Sequence, residues 1–167
     1  MKKVLFVLSF IMAGLLVNAQ EVKTDFSGTW NLNSEKSIQS QSGQGSDSMR
    51  LGGGNFVALQ EANLLVVERT RTGQDGQSTT TTMKYTLDGK ESVNTSPRGD
   101  SKSVAVWSAD GKSLTIETSR TMDVNGESVI TKSTEAWTLT DAKTLTVASA
   151  RQGPAGEVKT SMVYDKI

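Results

Sequence analysis

Four arginines carry the one recurrent chemical pattern in this chain. Arg71, Arg120 and Arg151 each lie six residues beyond a leucine, at Leu65, Leu114 and Leu145. Six is even, so in an extended strand each arginine shares a face with its leucine, and Arg69 has the same parity. A guanidinium presents a planar fork of donors that fits a carboxylate or phosphate. The spacing therefore predicts a cationic rim (Arg69, Arg71, Arg120, Arg151) above an apolar floor, suited to a small amphipathic anion such as a fatty acid or another acidic metabolite. The competing reading is that strands simply end in solvated charges, or that Glu135, on an inward parity, neutralises one arginine.

Other chemistry finds little support. The chain has no histidine and no cysteine, which excludes Ser-His-Asp triads, thiol nucleophiles and ordinary zinc sites. Glu117 and Glu135 could pair as general acid and base, but their parities differ, so no catalytic residue is expected. Asp75, Asp88, Asp110, Asp123 and Asp141 sit singly in turns, where aspartate bonds the local backbone, and no Asp-x-Asp-x-Asp calcium loop occurs. Gly52-Gly53-Gly54 lacks the lysine and helix of a phosphate loop. Neither a metal nor a cofactor is expected. Trp30, Trp107 and Trp137 could stack a planar ligand, but large aromatics at one end of a β-barrel fit core better; with Tyr85 they are expected to form the barrel floor. The Thr79–Thr82 run reads as a strand of high β propensity.

The elements that must hold these residues are strands. Trp107-Ser-Ala-Asp-Gly-Lys-Ser-Leu114-Thr-Ile116 and Trp137-Thr-Leu-Thr-Asp-Ala-Lys-Thr-Leu145-Thr-Val147 repeat one hairpin, and Tyr85-Thr-Leu-Asp88-Gly89-Lys90 keeps its first half. Tight turns of this type join adjacent antiparallel strands. Alternation and turn residues predict ten strands, at about 26–33, 55–60, 64–72, 78–87, 90–95, 102–109, 113–122, 127–139, 143–151 and 157–166, and no helix. A long mobile loop is predicted over 34–54. The fold class is all-β: an antiparallel up-and-down barrel of eight to ten strands. Alternating strand directions gather the turns at 61–63, 88–89, 110–111 and 141–142 at a closed, aromatic end, and leave the loop and the remaining turns at the mouth. The outward parities are polar, the opposite of a membrane barrel.

The first residues have the three parts of a secretory signal: Lys2-Lys3, an apolar run from Val4 to Val17, and small residues before a cut near Ala19. The run is shorter than the roughly 20 residues of a membrane span. Export to the periplasm or medium is expected, with 1–19 a leader and 20–167 a single domain. Outside the leader the charge is slightly acidic, about minus two, which argues against nucleic acid or an anionic membrane as partner.

The segment Phe26-Ser-Gly28-Thr-Trp30-Asn-Leu32 near the start of the domain, the Asp-Gly-Lys hairpins and the terminal Val163-Tyr-Asp-Lys166 resemble exported bacterial lipocalin-like proteins of the calycin superfamily. That resemblance implies a barrel whose first-strand tryptophan plugs the closed end. Two functional readings follow. One is a carrier of a small amphipathic ligand. The alternative is a cell-envelope interaction module with a filled barrel that recognises protein or glycan through its rim loops. A closed barrel with no unpaired edge is expected to be monomeric.

Overall fold

The computed structural model describes residues 22–39, 54–73, 76–96, 99–124, 127–153 and 156–167. Ten antiparallel strands follow one another: β1 (Gly28–Gln39), β2 (Phe56–Glu61), β3 (Leu64–Thr72), β4 (Ser78–Thr86), β5 (Glu91–Ser96), β6 (Gly99–Trp107), β7 (Ser113–Val124), β8 (Glu127–Asp141), β9 (Thr144–Gly153) and β10 (Gly156–Lys166). No helix occurs among the described residues. Each strand ladders with its neighbours in sequence except across β4 and β5, and β1 closes on β10, so the sheet runs β4-β3-β2-β1-β10-β9-β8-β7-β6-β5. The predicted all-β meander is the observed fold.

Most strand limits lie within one to three residues of expectation, and the first strand departs furthest. The first strand begins at Gly28, which leaves Phe26 ahead of it, and it continues to Gln39 through residues expected to be loop. Its register against β10 breaks between Asn33 and Ile38. There the Asn33 side chain accepts the Lys36 N–H and the Ser37 hydroxyl donates to the Asn33 carbonyl, so side chains carry the strand across the irregularity. Of the expected 34–54 loop, 40–53 lie outside the described residues, as does the 1–19 leader.

The hairpin repeat has a simple physical basis. The carboxylates of Asp88, Asp110 and Asp141 each accept the N–H of the lysine two residues on, Lys90, Lys112 and Lys143. This is the Asx turn that aspartate favours. Gly89 and Gly111 take the left-handed φ of 77° and 67° that these turns require. The turns do gather at one end: the Leu87 N–H donates to the Asn63 carbonyl, and Lys166 N–H to the Lys143 carbonyl.

That end is plugged from outside the ladder. Phe26 is fully buried, stacked on Trp107 at 5.7 Å and edge-on to Trp137 at 5.8 Å. Gln60 holds its segment in place: its side chain accepts the Phe26 N–H and donates to the Thr24 carbonyl. The Trp30 indole N–H donates to the Phe26 carbonyl at 2.9 Å. Gly28 takes a φ of 151°, which side chains other than glycine's rarely adopt, and the Lys166 ammonium lies 5.4 Å over the neighbouring Trp30 ring. Above this plug the interior is apolar, with Leu65, Val67, Leu114, Ile116, Leu145, Val147 and Met162 buried.

The barrel is not laddered all round. Across β4 and β5 the Asn94 side chain stands in for a strand, accepting the Lys84 N–H at 2.7 Å and donating to the Lys84 carbonyl at 2.9 Å. The Ser92 hydroxyl accepts the Thr86 N–H. The expectation of a barrel without an unpaired edge is therefore not met, because an uninterrupted ladder cannot be inferred from ten well-formed strands.

Candidate functional site

The inward faces of β6 to β10 form horizontal rows across the sheet. Ala105, Ile116, Glu135, Ser149 and Thr160 make one row, and Ser103, Thr118, Ser133 and Arg151 the next one toward the mouth. Ser101, Arg120 and Thr131 lie above them. Apolar side chains thus give way to hydroxyls and charge midway up the barrel. The hydroxyls bond one another, Ser103 to Thr118 at 2.9 Å and Ser149 to Thr160 at 2.6 Å. Thr118, Ser133, Glu135 and Ser149 keep partial exposure although they face inward, so water reaches this half.

The four predicted arginines separate into two pairs. Arg71 and Arg151 are exposed at the rim. Arg69 lies deeper, with its guanidinium 4.5 Å over the Phe56 ring. That ring touches both Trp137 and Tyr164, so Arg69 caps the aromatic stack that begins at the plug. Arg69 also hydrogen-bonds Tyr164. Arg120 is partly buried, and its Nε is wholly buried with no acceptor among the described residues. A buried donor left unpaired is costly, and this atom shares that state with the Trp107 Nε1 alone among the described residues.

Electrostatics tie the deeper pair together. The Tyr85 phenol is held well above its ordinary value by burial, with the Glu135 carboxylate adding and Arg69 and Arg120 opposing. Tyr164 is raised by burial against the pull of Arg69. Both phenols therefore stay neutral donors. Tyr85, placed with the floor from sequence, sits where the floor meets this charged layer. Glu135 does face inward, but it accepts the Trp137 indole N–H at 3.0 Å, and none of the described ion pairs joins it to an arginine.

Trp30 and Trp137 are buried in the floor, and Trp107 is half-buried there with its indole N–H unpartnered among the described residues. Glu117 is exposed on the outer face, away from Glu135, so the two carboxylates cannot act on one substrate. Among the described residues no cluster of acidic side chains could hold a metal ion, and no helix is long and apolar enough to cross a membrane. Sequence reasoning missed Phe26 as the plug and Tyr164 as the partner of Arg69. The signal for Tyr164 was its even spacing from Met162 in the last strand. It also missed a shallow hollow on the outer face of β6 and β7, lined by Val104, Val106, Trp107 and Thr115.

No protein-family model and no curated protein sequence matches the chain. Among solved structures it is similar to the zebrafish ileal bile acid-binding protein complexed with cholic acid. The two share 16% identity at a TM-score of 0.54, over 85% of this chain and 98% of that one. At this identity the likeness bears on the fold alone: both chains form an antiparallel β-barrel.

Proposed function

We propose that this protein is an exported, non-enzymatic barrel that binds a small amphipathic anion. The ligand enters the hydroxyl-lined half that water reaches, where its acidic group meets Arg120 and Arg69, and the packed Leu65, Val67, Ile116 and Val147 close the barrel beneath it. The observation that carries this reading is the buried Arg120 Nε, a cationic donor aimed inward without an acceptor among the described residues. The hydroxyl rows beside it offer further donors to an anion, and Arg71 and Arg151 raise the positive potential at the mouth. A barrel of the same fold that holds cholic acid supports a ligand of this size and polarity.

The test is binding of cholate, oleate and a neutral alcohol of matching chain length to the purified protein and to R120Q and R69Q. A hydrogen bond between charged partners contributes about 1.5–3 kcal/mol. R120Q should therefore weaken binding of the acids roughly 10- to 100-fold and leave the alcohol unchanged. Equal affinity of the parent and both variants for every acid would sink the proposal. Intact mass of the protein recovered from its host's envelope tests export, with loss of residues 1–19 expected.

A further inference from the structure

The open side of the barrel has a geometry of its own. In β4 the N–H and C=O of Lys84 point toward β5, where Asn94 takes both. The β3–β4 ladder has no register shift, and main-chain direction alternates along a strand with period two. Thr82, Thr80 and Ser78 therefore also turn their main-chain groups away from β3. The side-chain bridges set the spacing across the seam: Thr86 faces Ser92 and Lys84 faces Asn94. Extrapolated, Thr82 faces Ser96, which is the last residue of β5. Thr80 and Ser78 lie beyond it.

Those two residues thus present four main-chain groups with no partner among the described residues. Ser78 to Thr82 are exposed on both faces of the strand. Their hydroxyls confirm the orientation, since Thr80 bonds Thr70 and Ser78 bonds Thr72 on the side of the non-bonded ladder pairs. Natural edge strands are blunted by lysine, proline, a bulge or an inward charge. From Ser78 to Met83 this edge has none of them, and its Thr-rich sequence favours pairing.

We infer that this edge pairs with a second copy of itself. In a two-fold antiparallel arrangement Ser78 of one protomer lies opposite Thr80 of the other, and Thr80 opposite Ser78. The four main-chain groups of each protomer that lack a partner among the described residues are then satisfied, through four hydrogen bonds across the axis. Self-pairing is favoured over a foreign strand because the spacing of the free residues is its own complement, and because an uncharged edge does not repel its copy. The contact is short and lacks an apolar centre, so it belongs to the weak class, with dimer growing in at roughly 0.1–1 mM.

Sedimentation velocity and residue-resolved amide exchange on the purified protein test this. The parent should dimerise with rising concentration, and at about 1 mM exchange at Ser78 and Thr80 should slow roughly two- to fivefold while Thr79 and Thr81, already bonded to β3, stay unchanged. T80P removes one edge donor without touching the β3 ladder and should be monomeric with an unchanged urea midpoint. S78K/T80K puts lysine opposite lysine and should also be monomeric, whereas S78E/T80K puts each glutamate opposite a lysine of the other copy and should dimerise more tightly than the parent. A parent that stays monomeric to about 1 mM overturns the inference, as does association of S78K/T80K equal to that of the parent. Pairing of this edge with an unrelated extended peptide in a monomeric parent would overturn it as well.

Discussion

Replacing Phe26 by alanine tests whether the closed end depends on a residue outside the barrel. Its ring is fully buried and contacts Trp107 face to face and Trp137 edge to face. Truncating a buried phenylalanine costs about 3–5 kcal/mol, since the lost transfer free energy is joined by an incompletely collapsed cavity. Each ring pair contributes about 0.5–1.5 kcal/mol within that figure. The neighbours here are two rigid indoles that cannot fill the gap, so F26A should lose about 4 kcal/mol. F26L keeps most of the volume and should lose about 1 kcal/mol. At this chain length 1 kcal/mol moves Tm by roughly 2–4 °C, so F26A should melt about 8–16 °C lower. Urea unfolding followed by tryptophan emission is the assay, since all three tryptophans contact Phe26, Trp107 and Trp137 through its ring and Trp30 through its main-chain carbonyl. Emission of folded F26A should shift to the red as water reaches Trp107. A loss below about 1.5 kcal/mol with unshifted emission would refute the reasoning, because the floor would then be closed without the plug.

Further predictions concern the seam and the buried phenol. N94L removes both bonds to Lys84 and strands that residue's main-chain groups at the seam, so a loss of about 2–3 kcal/mol in urea unfolding is expected. Slowly exchanging amides of Lys84 and Thr86 should become fast in the same variant. Tyr85 has its ionisation raised above the ordinary 10.0 in the folded state. Its contribution is therefore complete below pH 10 and is lost as pH rises, because the unfolded chain releases the proton first. Stability should fall above that pH by up to about 1.4 kcal/mol per unit, and Y85F should show a shallower alkaline limb in urea midpoints measured from about pH 8 to 11. Absorbance of phenolate at both tyrosines should appear only as the protein unfolds, since burial raises Tyr164 as well.

Much of the fold was legible because its signals are local. Met83, Tyr85 and Leu87 against Lys84 and Thr86 declare a half-buried strand without reference to any other part of the chain. The Asp-x-Lys turns declare hairpins by the same logic, since the carboxylate bonds a backbone only two residues away. The limits of β1 were not legible. Phe26 has the alternation of a strand residue, but it is drawn over the barrel end by Gln60, which is 34 positions away. The candidate site was half legible. Parity correctly aimed Arg69 and Arg120 inward, but parity carries no depth, and Arg69 and Arg71 are identical to it. Their separation comes from the Phe56 ring beneath one and solvent around the other.

By itself the sequence determined which side chains face in, where the chain reverses, and that no histidine or cysteine chemistry is available. These follow from strand periodicity, short-range turn bonding and composition, each of which acts within a few residues. The tertiary structure alone decided that β1 meets β10, that β4 and β5 part and are bridged by Asn94, and that the buried Arg120 Nε lies above an aromatic plug. Closure is set by the summed twist and stagger of ten strands, a quantity that no short-range pattern in the sequence encodes.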